Sequence, residues 1–199
     1  MPQPVKKLLS PEEYLAIDRE AEVRSEYFDG EMFLMTGASP AHNLIAVNTA
    51  TALNNALRDR PCRVFVADMR VRIANTPRYL YPDVSVVCGD LQLEGDREDI
   101  LVNPGLVVEV LSPSTENYDR VRKFDAYRQA PTLQEYLLIA QDQPRVQLYR
   151  RQDNGTWLFI EMRDFESHLD LASVDCQLPL SEIYRKVEFP KPPESENPV

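Results

Sequence analysis

Apolar positions along the chain follow two rhythms, one helical and one of period two, and their succession outlines the fold. Ser10 stands where an N-cap belongs, Pro11 suits the first helical position and Glu13 can complete a capping box. A helix is therefore predicted from there to about Val23. Ser25 to Thr36 alternates around Asp29-Gly30, the signature of a hairpin. Ser39-Pro40 opens a second helix with Leu44, Ile45, Val47, Leu53 and Leu57 as its apolar stripe and His42 in its first turn. Arg63 to Ile73 reads as a strand, and Asn75-Thr76-Pro77 turns the chain into a strand opening on Asp83. Gly89 to Asp99 is polar and acidic, an exposed connection. Pro104 to Leu111 is an apolar strand interrupted by Glu109. Ser112-Pro113 ends it, and a helix follows from about Asn117 to Gln129. Gln134 to Ala140, Arg145 to Tyr149 and Trp157 to Ile160 are the remaining strands, the last two joined by a turn at Asp153-Asn154-Gly155. This order predicts an α/β fold, one mixed β-sheet with helices on its faces.

Length and composition narrow the class. A chain of 199 residues fits one domain with a proper core, here residues 1–189, followed by a Pro- and Glu-rich tail at 190–199 expected to be disordered. No run approaches the roughly 18 apolar residues of a membrane span, and the N-terminus lacks an apolar signal core. Cys62, Cys88 and Cys176 are odd in number and widely spaced, which argues against a disulfide framework or a thiolate zinc site and favours a reducing cytoplasm. With only His42 and His168, a histidine-rich metal site is excluded. The net charge of −10 weighs against general nucleic-acid binding, which relies on basic surface. Two basic groups stand out against that background: Arg58, Arg60, Arg63, Arg70, Arg72 and Arg78, then Arg120, Arg122, Lys123 and Arg128.

The candidate chemistry centres on two carboxylates. An ionised Glu109 among Val107, Val108, Val110 and Leu111 is costly unless a cation sits beside it, whether lysine, arginine or a metal. Alternation places Asp83 on one face with Ser85 and Val87, and Glu109 with Val107 and Leu111. If the two strands are neighbours, the carboxylates converge at one sheet edge. Two carboxylates suffice for magnesium, which keeps several waters, and a nearby lysine would orient an attacking water or neutralise developing charge. The same residues also fit a plainer arrangement, with Asp83 capping a turn after Pro82 and Glu109 paired to an arginine. There is no phosphate-binding glycine loop, nucleophile elbow or dinucleotide fingerprint. Cys62 and Cys88 sit in or beside apolar strands, where filling the core is the usual role.

Taken together, Ser25 to Glu31, Ser39 to His42, Tyr81 to Val87, Val108 to Ser114, then Asp119, Lys123, Tyr127 and Glu135-Tyr136 form a set. That set resembles the PD-(D/E)XK restriction-endonuclease-like superfamily, and within it the bacterial Uma2 group, once a domain of unknown function. The resemblance covers roughly Pro11 to Tyr184. It implies a restriction-endonuclease-like mixed sheet flanked by helices and a Mg2+-dependent endonuclease acting on DNA, with Mn2+ as a substitute ion. It further implies Asp83, Glu109 and Val110 as metal ligands, Lys123 and Glu26 completing the catalytic set, and a homodimer that brings two sites to two strands. A nuclease-fold protein that binds nucleic acid or a partner without cutting is the alternative. The superfamily's usual lysine, two residues after the glutamate, is Leu111 here, so Lys123 is expected to serve from the helix. The strand after Glu135-Tyr136 ends in Ala140, where the group often carries aspartate.

Overall fold

The computed structural model describes residues 8–35, 37–74 and 76–190. Helix α1 spans Pro11–Glu20, ending a turn earlier than the pattern suggested, and its capping box forms as expected between Ser10 and Glu13. Strands β1 (Ser25–Phe28) and β2 (Glu31–Leu34) make the hairpin. Phe28 pairs with Glu31 across a two-residue turn, and Asp29 and Gly30 both adopt positive φ (50° and 100°). That geometry matches the right-handed twist of the two strands, and Asp-Gly supports it at least steric cost. Of the predicted hairpin, Thr36 lies outside the described residues.

Helix α2 (Pro40–Ala56) starts at the Ser39 cap. Its stripe is only partly core: Ile45, Leu53 and Leu57 are buried, whereas Leu44 and Val47 face outward. The segment predicted as one strand from Arg63 to Ile73 is two, β3 (Cys62–Val66) and β4 (Arg70–Arg72). The break falls at Ala67, whose φ of 34° is incompatible with continued extension and whose N–H is bound by the Asp83 carbonyl. After β5 (Arg78–Leu80) come β6 (Val84–Cys88), β7 (Ile100–Leu101) and β8 (Leu106–Leu111). The expected helix after β8 begins as a π-helical segment, Tyr118–Lys123, and continues as α3, Phe124–Tyr127. Strands β9 (Glu135–Ala140), β10 (Val146–Arg151), β11 (Trp157–Met162), β12 (His168–Leu171) and β13 (Cys176–Pro179) follow, then α4 (Leu180–Ile183). The expected disordered tail, apart from Pro190, lies outside the described residues.

The strands do not form the single sheet expected. The break at Ala67 sends β3 and β4 to different sheets, giving a six-stranded sheet in the order β11-β10-β9-β8-β6-β3 and a five-stranded one in the order β2-β1-β5-β4-β7. A separate β12–β13 hairpin completes the set. The six-stranded sheet is mixed, with β8 and β9 parallel and its other pairs antiparallel. It carries the core on both faces. Val84, Val86, Val108, Val110 and Leu137 pack towards α2, α4 and the β12–β13 hairpin. Val87, Val107, Leu111, Tyr136 and Leu138 pack towards α3 and the five-stranded sheet. Burial on both faces explains why β8 and β9 are nearly unbroken apolar runs. It also singles out Glu109.

Cysteine spacing misled in one respect. Antiparallel pairing of β3 with β6 sets Cys62 opposite Cys88, and the two form a disulfide, while Cys176 is free and buried. Separation along the chain carries no information on cross-strand register, so the pair was invisible to the cysteine count. With the cysteines 26 positions apart, the cross-link restricts the unfolded chain by about 3.5 kcal/mol in the chain-entropy account.

Candidate active site

Register brings the two carboxylates together. Val84 pairs with Val108 in the antiparallel β6–β8 ladder, so Asp83 and Glu109 stand opposite one another one step beyond it, where the strands part. The ladder's next hydrogen bond is replaced by a side chain: the Val110 N–H donates to Asp83 Oδ2 at 2.7 Å. His42, in the first turn of α2, places Nε2 3.4 Å from the same oxygen. Each of these groups therefore comes from a different element.

Lys123 enters from the π-helical segment on the Glu109 face of the sheet. Its Nζ lies 3.1 Å from Glu109 Oε2, 2.9 Å from Glu26 Oε1 and 3.4 Å from Asp119 Oδ1. Lys123 is 6% exposed and Glu109 3%. Glu26 reaches the cluster from β1, the five-stranded sheet, and is held by the Tyr81 N–H at 3.1 Å and the Tyr118 hydroxyl at 2.8 Å. The site is thus built at the seam between the two sheets. The backbone carbonyl of Asp119 accepts from the Tyr136 hydroxyl at 3.0 Å, which pins the π-helical segment to β9.

Charge in this cluster is unbalanced. Four carboxylates, Glu26, Asp83, Glu109 and Asp119, share one lysine and one imidazole. Burial raises the pKa of Glu109 well above the usual carboxylate range, against the pull of Lys123 and with the push of Asp119 and Asp83. Burial likewise raises Asp83 and Asp119, opposed by His42 and Lys123 respectively. For Lys123 burial acts the other way, yet Glu109, Glu26 and Asp119 outweigh it and hold the ammonium well above its ordinary pKa. Lys123 is therefore a firmly protonated donor. Glu109 Oε1 and the Tyr127 hydroxyl are both buried without a hydrogen-bond partner. A buried, unpaired carboxylate oxygen is expensive and calls for a compensating group.

The cluster forms the floor of a cavity of about 880 Å³, walled by α2, the ends of β2 and β3, and the Ser112 to Thr115 turn. Among the described residues no set of three or more His, Cys, Asp or Glu side chains converges tightly enough to hold an ion alone. The donors are nonetheless hard oxygens, two facing carboxylates and one orphaned oxygen, and magnesium commonly takes only one or two carboxylates with water filling the rest. The residues present fit such an ion.

The candidate residues Asp83, Glu109, Val110, Lys123 and Glu26 therefore meet in one place. Leu111, where the superfamily's lysine usually stands, is buried with Val107, Tyr127 and Leu138 in the core. Glu135 does not join them. It sits three residues back along the β8–β9 register, bound by Arg150 Nε at 2.7 Å and by Ser173 in the turn between β12 and β13. Asp119 was given no role from sequence, although its spacing of four from Lys123 on a helix was a usable signal. Tyr81 and Tyr118, which fix Glu26, carried none. Of the two basic groups, Arg58, Arg60, Arg63, Arg122 and Arg128 are exposed, while the others are drawn into ion pairs. Arg70 is buried against Asp18 and Asp99, Arg72 pairs with Glu94, Arg78 with Asp29 and Arg120 with Glu116. Arginines committed in this way lack a free face for phosphates.

Known proteins share the family and the fold of this chain. The family model described as "Uma2: Putative restriction endonuclease" matches residues 11–181. The "Uncharacterized protein slr1290" of Synechocystis sp. is 39% identical over 181 residues, covering 91% of this chain and 94% of its own length. A second protein of that organism, "Uncharacterized protein sll1609", is 36% identical over 166 residues, 83% of this chain and 94% of its own. A crystal structure titled a putative nuclease belonging to DUF820, from Anabaena variabilis, superposes with a TM-score of 0.73 at 20% identity, covering 88% of this chain and 97% of that one. At that identity the likeness establishes the fold alone.

Proposed function

Since this chain belongs to the Uma2 family of restriction-endonuclease-like proteins, we propose that it is a divalent-metal-dependent endonuclease that hydrolyses phosphodiester bonds in DNA. The observation that carries the reading is the uncompensated carboxylate cluster with the orphaned Glu109 Oε1, at the floor of an open cavity. Asp83 and Glu109 would hold the ion. The Val110 N–H fixes Asp83, and because N–H and C=O of one strand residue lie on the same side, the Val110 carbonyl is available to the same gap. Mg2+ bound there supplies Lewis-acid charge to a scissile phosphate, with Mn2+ able to replace it.

The chain's own residues supply the rest. Lys123, kept protonated by its carboxylates, donates to the attacking water or to phosphate oxygens and does not serve as a base. Glu26, immobilised by Tyr81 and Tyr118, sets the position of Lys123. His42 orients Asp83. A homodimer would match two such sites to two strands.

One observation favours a second reading, in which the fold binds nucleic acid or a partner without cutting. Three carboxylate oxygens lie within 3.4 Å of Lys123 Nζ, so substrate reaches the ammonium only by displacing one of them. Incubating plasmid with Mg2+ or Mn2+, with Glu109→Ala as control, separates the two. Metal-dependent nicking by wild type alone supports the nuclease; retention of DNA without nicking in either metal supports the binder.

A further inference from the structure

The wall of the cleft opposes its floor in character. Leu34 (73% exposed), Val47 (55%) and Val66 (52%) stand around the opening, large aliphatic side chains left in water. Val47 stands on α2 beside Ala46 and Ala50, which line the cleft while packing against the core, and is itself left exposed although its spacing resembles that of a core residue. At the rim, the exposed Arg122 guanidinium lies 5.0 Å from the Phe33 ring centroid and 6.0 Å from that of Tyr118, and both rings line the cleft. Among the described residues lining the cleft, Lys123 is the one lysine or arginine, and it is committed to three carboxylates.

Intact duplex presents phosphates outward and is held mainly by cations that neutralise them. This cleft offers almost none. Unpaired nucleotides instead present aromatic base faces, which bind apolar and planar surfaces whatever their sequence. A cavity of about 880 Å³ lies in the range that encloses a small molecule, enough for bases that have left the stack. We propose that the cleft takes an unpaired DNA strand, its bases seated on the aliphatic wall of Leu34, Val47 and Val66 and on the Phe33–Arg122 platform, with the backbone over the carboxylate floor. The inference rests on the nuclease reading for its chemistry but not for its binding preference.

Fluorescence anisotropy on uncut DNA, using the Glu109→Gln protein, tests the preference directly. A labelled single strand should bind at least ~10-fold tighter than the same sequence as duplex, the effect of one well-seated base. Its affinity should fall with salt on a slope matching no more than about two phosphate contacts. Replacing Leu34 and Val47 together by serine should remove the preference while leaving the melting curve unchanged, since both side chains are exposed. Equal or tighter duplex binding, or an unaffected Leu34→Ser/Val47→Ser protein, overturns the proposal. So does a concentration-dependent dimer that the double serine variant dissolves, because a second copy would then cover this wall. Failure of the nuclease reading looks different: wild type would cut neither strand form in Mg2+ or Mn2+, with the binding preference intact.

Discussion

Two buried ionic networks meet back to back at Tyr81, and they have been built on opposite principles. In one, Asp18 accepts from the Ser25 N–H at 2.7 Å, the Tyr81 hydroxyl at 2.6 Å and Arg70 Nη2 at 2.7 Å. Arg70 also reaches Asp99, which Arg19 grips with two bonds of 2.9 Å. Two aspartates face two arginines, and among the described residues Arg70 Nε is this network's one buried atom without a partner. In the other network, which the Tyr81 N–H touches through Glu26, four carboxylates face one lysine and one imidazole. The first holds Asp99 down at about 2, mainly through its bond from Arg19. The second pushes Glu109, Asp83 and Asp119 up, mainly through burial. A compensated network contributes to folding. An uncompensated one is maintained against its electrostatic cost, and the proposed metal site rests on that imbalance.

The contrast can be broken experimentally. Glu109→Ala should reduce cleavage by about 10³-fold or more, since it removes a carboxylate from the proposed ion site. Its urea midpoint should hold or rise, because the substitution takes a poorly compensated carboxylate out of the core. A large loss of stability instead would make the second network structural too. Arg70→Ala should behave in the reverse manner. Asp18 would be left buried without its cation, at a cost of about 3–5 kcal/mol in urea denaturation. An effect below 1 kcal/mol would show that the first network contributes little to folding.

Two smaller effects sharpen the comparison. Lys123→Met should lower cleavage by about 10²-fold through loss of a positioned donor, yet leave calorimetric Mn2+ binding at Asp83 and Glu109 in place. Loss of both together would mean that Lys123 organises the carboxylates and has no separate role toward substrate. The smallest effect concerns pH. Because the folded-state pKa of Asp99 is depressed from its ordinary 3.8 to about 2, its contribution is present above pH 4 and disappears as pH falls from there to about 2. Asp99 is a third exposed, so screening leaves about 1–2 kcal/mol. Melting curves of wild type and Asp99→Asn should differ at pH 6 and converge near pH 2. A gap independent of pH would assign the effect to lost hydrogen bonds alone.

Much of this architecture was legible in the sequence, because it depends on neighbours along the chain. The Ser10 capping box, the Asp29-Gly30 hairpin and the doubly buried β8 and β9 are local facts of dihedral preference and period. So is the anomaly of Glu109, since a carboxylate in an apolar run stands out before any contact is known. What the pattern could not carry was register and partner choice. Whether Asp83 meets Glu109 depends on a ladder that pairs Val84 with Val108, far along the chain, and the disulfide depends on another. The two-sheet division turned on one residue, Ala67, whose left-handed backbone no propensity announces. Val47 had the spacing of a core residue and yet stands exposed among the described residues. Nor could the sequence show that Arg70, Arg72 and Arg78 have acidic partners on remote elements. Sequence alone fixed which residues are unusual, since that is a property of local context; tertiary structure decided which charges are answered, since compensation acts through space at a few ångströms.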